Sequence, residues 1–171
     1  MPLTEINKKI SNLKNVFTIL NFESILFEVF KMKENQDGYI KIIQDRLFFK
    51  GTDSFEDKLS TDKANRSGNA SDFYSDYTVK LKKEKNQKTS NVTLKDSGKF
   101  YKSMQGLVSK NEFEVNADFK DIFDNFSQSY SNNKEFQEAI LDLTEMERYA
   151  FLQVEILPDF ITILKRQINN I

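Results

Sequence analysis

The side chains available for chemistry in this chain are carboxylates, lysines and tyrosines, because it contains no histidine and no cysteine. That removes Ser-His-Asp and Cys-His nucleophilic catalysis, histidine- and thiolate-ligated metals, disulfides, and the commonest general base near neutral pH. Carboxylate pairs such as Asp53 with Glu56, or Asp121 with Asp124, have a spacing that suits general acid and base roles or a divalent cation. No recognisable binding loop surrounds them, and polar sequences produce such pairs often. A phosphate loop, a dinucleotide fingerprint and an EF-hand pattern are all missing from the sequence. The chain therefore offers no enzyme signature, and no metal or cofactor is expected.

Lysines form the other chemical constellation. Lys80 to Lys102 holds eight lysines against two acids, Glu84 and Asp96, whereas Glu112 to Glu147 holds ten acids against two lysines, Lys120 and Lys134. In a monomer such runs are ordinary solvated faces. In a ring, the basic face of one subunit meets the acidic face of the next and the contact repeats around a closed circle. Lys82, Lys83, Lys85 and Lys88 are the candidates for such an interface, with the Asp118 to Asp124 segment as its acidic complement, or for loose contact with passing DNA. Lysine without arginine suits sequence-blind phosphate attraction, and the formal net charge of -1 argues against a surface that is basic overall.

These residues need elements to position them. At 171 residues the chain suits one domain with appendages, and with 39% hydrophobic residues including 16 Phe and 6 Tyr, core volume must come largely from aromatics. Ile6, Ile10, Leu13, Phe17 and Leu20 keep one amphipathic face, which predicts a helix from Glu5 to Leu20. Phe22 to Met32 continues the helical spacing, Asn35 to Gly38 reads as a turn, and Tyr39 to Lys50 is again helical, ending at Gly51 as a C-cap. Thr52 to Asp72 reads as loop with one edge strand, and Ala64 to Ser71 has nothing to bury. Ser75 caps a short helix through Leu81 with its lysines outward, fading into a solvated loop at Lys82 to Lys88. Gly106 to Ser109 and Glu112 to Ala117 read as a hairpin in which Phe113, Val115 and Ala117 alternate with Glu112, Glu114 and Asn116. Asp118 to Phe126 is helical, Ser127 to Lys134 polar loop, and Thr144 with Glu147 forms a capping box for a helix through Ile156. Pro158 then starts another helix, Asp159 to Ile168, at an angle to its predecessor, with Phe160, Ile161, Leu164 and Ile168 inward. No signal peptide or membrane span is legible, so the protein is expected to be soluble, without membrane contact.

The densest local signal is Val92 to Met104, read as strand, turn and short helix. Val92 to Leu94 suits a strand, Asp96 and Ser97 can accept from the amides that open a helix, Gly98 turns the chain, and Phe100, Tyr101 and Met104 recur at helical spacing. The pattern Leu94-x-Asp96-Ser97-Gly98-x-Phe100-x-x-Ser103-Met104 resembles the "leucine, Asp-Thr-Gly, hydrophobic, x, x, Ser-Ile" signature of neck and tail-completion proteins of tailed bacteriophages, with Ser97 where that family usually has Thr. Phe73 to Val79 is similar to the "Tyr-Ser/Ala-Pro-x-Thr" element that precedes the motif there, with Asp76 in place of Pro. Lys50-Gly51-Thr52-Asp53-Ser54 resembles a piece found in crAss-like and Bacteroides-type phage versions. The resemblance covers roughly Leu47 to Ile168.

The resemblance implies a virion protein without catalysis, a head-to-tail connector ring of sixfold or twelvefold symmetry between portal and tail. Its partners would be copies of itself, the adjoining portal, neck or tail proteins, and DNA in the channel, with assembly in the host bacterial cytoplasm. The alternative class is a small host-directed or regulatory protein-binding module. For the fold, the sequence predicts a single α+β domain: a small antiparallel sheet of Val92 to Leu94 and the hairpin, packed by helices, with an N-terminal helical arm. Its parts are a helical stretch over 1–50, a loop-rich insertion over 51–91 and an α+β core over 92–171.

Overall fold

A computed structural model of the chain describes residues 21–59, 74, 76–109, 112–123 and 134–169. The helix expected over Glu5 to Leu20, the loop tip at Ala64 to Ser71 and the cap at Ser75 lie outside them. The described residues are mostly helical and carry one two-stranded antiparallel sheet, an α+β arrangement.

Helix α1, Phe22–Lys31, opens on Asn21, whose side-chain oxygen accepts from the Ser24 N–H at 3.0 Å. It buries Ile25 and Val29 completely. The chain breaks helix only at Met32 and re-enters it as α2, Lys33–Asp45. The turn expected at Asn35 to Gly38 is therefore the opening of α2. The reason lies in the side-chain amides: Asn35 donates to the Val29 carbonyl at 2.9 Å and Gln36 to the Phe30 carbonyl at 3.1 Å. Residues that favour turns are used to satisfy the carbonyls that α1 leaves open at its end.

Helix α2 widens into a π turn at Arg46–Lys50 and stops at Gly51, whose φ of 66° is left-handed. A Cβ there would lie 2.6 Å from the Asn91 side-chain amide and 2.8 Å from the Val92 carbonyl oxygen, so glycine is required by conformation and by space. A short loop closed by a Thr52 to Lys58 bridge follows, consistent with the weak edge strand expected there.

Helix α3 is Asp76–Glu84 and α4 is Lys99–Ser103. Strands β1, Gln105–Val108, and β2, Phe113–Asn116, pair with Gln105 opposite Asn116 and Val108 opposite Phe113. Phe113 and Val115 turn inward while Glu112, Glu114 and Asn116 are exposed, as the alternation predicted. Val92 to Leu94 does not join this sheet. It is buried, but the Thr93 N–H donates to the Tyr74 hydroxyl at 3.2 Å and the Tyr101 hydroxyl donates to the Thr93 carbonyl at 2.5 Å. Two tyrosines occupy the backbone groups that a neighbouring strand would have used.

Helix α5, Lys120–Phe123, precedes α6, Lys134–Leu141, which buries Ala139, Ile140 and Leu141 and which the sequence pattern does not predict. Helix α7, Glu145–Phe151, starts on the predicted capping box: Thr144 Oγ1 accepts from the Glu147 N–H at 3.2 Å, and the Glu147 carboxylate accepts from the Thr144 N–H at 3.1 Å. A second π turn, Leu152–Ile156, leads without interruption into α8, Leu157–Asn169. Pro158 thus sits inside continuous helix, because the wider turn displaces the carbonyl its ring would strike. Ile163 is the buried residue of α8, whereas Ile161 and Ile168, expected inward, are exposed.

The core joins both ends of the chain. Ile25, Ile43 and Leu47 pack in one cluster with Phe100, Ile140 and Phe151. The helices over 22–50 are therefore part of the core and do not project from it.

Candidate interaction site around the central motif

The motif loop is shaped by two residues in left-handed backbone, Leu94 at φ 50° and Gly98 at φ 79°. Leu94 tolerates this because its side chain is buried and its neighbours are tied down: the Lys95 N–H donates to Thr93 Oγ1 at 3.3 Å. Gly98 stands at the N-cap of α4, and the expected hydroxyl cap comes from Ser97, which accepts from the Lys99 N–H at 3.2 Å. Phe100, 2% exposed, anchors α4 in the core against Phe119, with ring centroids 5.1 Å apart. Ser103 donates to the Phe100 carbonyl and accepts from the Asp118 N–H, each at 2.8 Å, so it fastens the exit of β2 to the end of α4.

The lysines meet this loop from the other side. Lys85 bridges to the exposed Asp96 carboxylate at 3.0 Å, and the Gln87 amide donates to the Asp96 carbonyl at 3.0 Å. The hydrogen bond from Lys85 holds the Asp96 carboxyl below the usual range of a carboxylate. Lys88 donates to the Phe48 and Phe49 carbonyls at 3.2 and 2.9 Å, a cation on the carbonyl end of a helix. Lys82 is half-buried above the Tyr74 ring, 5.0 Å from its centroid, and burial pushes its ammonium below the usual lysine value against the pull of Asp96. Of the four candidates only Lys83 lies exposed on α3, where Tyr77 is 70% exposed as well. The predicted solvated lysine loop is therefore a clamp between α3, the end of α2 and the motif. Its ionic partner is Asp96 of the same chain.

The acidic candidates are dispersed. Asp53 closes its own turn, its carboxylate accepting from the Phe55 and Asp57 N–H groups at 2.9 and 3.0 Å, while Glu56 is exposed at φ 67°. Asp118 accepts from the Lys120 N–H at 3.0 Å, and Asp124 lies outside the described residues.

One charged centre was hidden in the sequence. Arg46 stands at helical spacing with Ile42, Ile43 and Leu47, and it is 2% exposed. It donates to the Thr52 carbonyl at 3.2 Å, the Ile140 carbonyl at 3.0 Å and the Glu147 carboxylate at 2.7 Å. One guanidinium thus joins the end of α2, the loop after it, the end of α6 and the capping box of α7. Its inward spacing was the legible signal, but its partner stands 101 positions away.

The arrangement holds backbone in shape and presents a rim of lysine and aromatic side chains. No protein-family model, curated protein or solved structure matches the chain.

Proposed function

We propose that this chain is a structural virion protein, a subunit of the ring in a phage neck that connects portal to tail and does no catalysis. The observation that carries the reading is the motif Leu94, Asp96, Ser97, Gly98, Phe100 and Ser103, together with what those side chains do. Phe100 anchors, Ser97 and Ser103 bind backbone, and Asp96 holds Lys85, so the role of the element is mechanical. A wall around DNA requires such rigid joints and broad contacts between identical subunits.

The test is genetic. Deleting the gene from its phage should give DNA-filled heads separated from tails, and supplying the protein in trans should restore joined particles. Infectious, fully joined virions made without the protein would overturn the reading.

A protein-binding module without catalysis is the second reading, favoured by Phe49, Phe55 and Tyr77, which are 64%, 77% and 70% exposed. Stoichiometry decides between them. A ring subunit is present in purified virions in a fixed number per particle, and a host-directed factor is absent from them.

A further inference from the structure

The continuous helix from Glu145 to Asn169 buries one face and leaves a second apolar face open. Phe151, Ile156 and Ile163 point into the core, whereas Met146, Tyr149, Val154, Leu157, Ile161 and Ile168 are between 38% and 80% exposed. Both faces are kept in phase by the π turn Leu152–Ile156. Phe151 to Ile156 and Tyr149 to Val154 are each one residue further apart than neighbours on an α-helical face, and the wider turn absorbs that residue.

The open face has a symmetry of its own. Met146 and Ile168 stand equally far to either side of Leu157, Val154 and Ile161 nearly so, and the position opposite Tyr149 is Lys165. Turned about Leu157, the face matches itself: apolar meets apolar, and the stem and ammonium of Lys165 meet the Tyr149 ring. The same rotation brings Lys165 beside Glu145, one turn before Tyr149. Both are exposed, and among the described residues neither is in an ion pair. A helix of this length runs about 37 Å, enough for an extended antiparallel contact.

We infer that this face is an isologous docking surface for a second copy of the chain, two C-terminal helices packing antiparallel across a two-fold axis at Leu157. A two-fold pair closes on itself and cannot propagate into a ring. It is therefore a contact distinct from any ring interface. The inference goes beyond the neck-ring reading and does not rest on it.

Light scattering and analytical ultracentrifugation of the full chain should give twice the chain mass. Leu157→Asp should weaken the pair at least about tenfold with the circular dichroism spectrum unchanged, since a charge at the centre of a contact must be desolvated. Lys165→Glu should weaken pairing and Glu145→Lys in the same chain should restore it, a rescue that a role within one subunit would not produce. Because the chain has no cysteine, Leu157→Cys should form an interchain disulfide on mild oxidation, and Thr162→Cys, on another side of the helix, should not. If Leu157→Asp fails to fold, the crosslink and the charge swap decide. A monomer at every concentration overturns the inference, as does a Leu157→Cys thiol shielded within a monomer, which would mean that the same chain covers the face. A closed ring without the Leu157 crosslink overturns it too, while leaving the neck-ring reading to the virion test.

Discussion

Gly51 and Gly98 both occupy left-handed backbone, at φ 66° and 79°, but they differ in the space around them. Nothing lies within 4 Å of a Cβ at Gly98, so Gly98→Ala should cost only the backbone strain, about 1–2 kcal/mol, with Gly98→Val costing more. Gly51→Ala should cost more than Gly98→Ala, because the Val92 carbonyl oxygen 2.8 Å from its new Cβ belongs to the backbone and cannot swing away. Urea midpoints of the two variants check the order, and an unchanged midpoint for Gly98→Val would refute the argument. Arg46→Ala should be among the most damaging single changes, at about 3–5 kcal/mol, since it takes the cation from the Glu147 carboxylate and the guanidinium donors from two carbonyls. Asp96 supplies a pH signature. Its folded-state pKa is depressed, so its contribution is present above the unfolded value and is lost as pH falls through the folded one. The stability gap between the parent and Asp96→Asn should therefore close as pH falls from the unfolded carboxylate value of about 4 through the lower folded one. The pair is 54% exposed on each side, so the gap should be small and should shrink in salt.

At the scale of elements, the lysine segment separates into residues that hold the fold and one that does not. Lys88→Glu should lower the melting temperature, because it sets a carboxylate against the Phe48 and Phe49 carbonyls. Lys83→Glu should leave stability within about 0.5 kcal/mol. Reversing Lys82, Lys83 and Lys85 together would thus mix folding with assembly, and Lys83 is the position at which a role in DNA or subunit contact can be measured by itself. The π turn before Pro158 makes a second element-scale prediction. Deleting Gln153 brings Phe151 and Ile156 to ordinary α-helical spacing, so the buried face stays in phase. The deletion should be tolerated in a Pro158→Ala background and should be worse by about 3 kcal/mol when the proline remains, as thermal unfolding would show.

At the scale of the molecule, stability is shared between segments far apart in the chain. The Asn35 amide reaches the Asp159 carboxylate at 2.9 Å, the Tyr39 hydroxyl donates to Asp142 at 3.0 Å, and Arg46 pairs with Glu147 at 2.7 Å. Burial, with Asp142 adding to it, pushes the Tyr39 phenol well above its ordinary value. A fragment of residues 92–171 would expose the surfaces that Ile25, Ile43 and Leu47 cover, and should lack the cooperative unfolding of the whole chain. A fragment that melts like the parent would show that the N-terminal helices are dispensable to the core.

The features legible in the sequence are those whose hydrogen bonds or burial repeat over a few residues. The capping box needs only Thr144 and Glu147, the hairpin face needs only the alternation through Phe113 and Val115, and the stop at Gly51 needs only a residue free to adopt left-handed backbone. Tertiary structure decided wherever a local preference was satisfied by a distant group. Asn35 and Gln36 favour turns, yet they sit in helix because the carbonyls of α1 are there to receive them. Val92 to Leu94 favours a strand, yet its backbone groups went to Tyr74 and Tyr101. Arg46 became an interior cation, and the lysines a clamp, only once Glu147 and Asp96 had been brought beside them. A charged or amide side chain takes its role from whichever group desolvates alongside it, and that group is chosen by the packing of the whole chain.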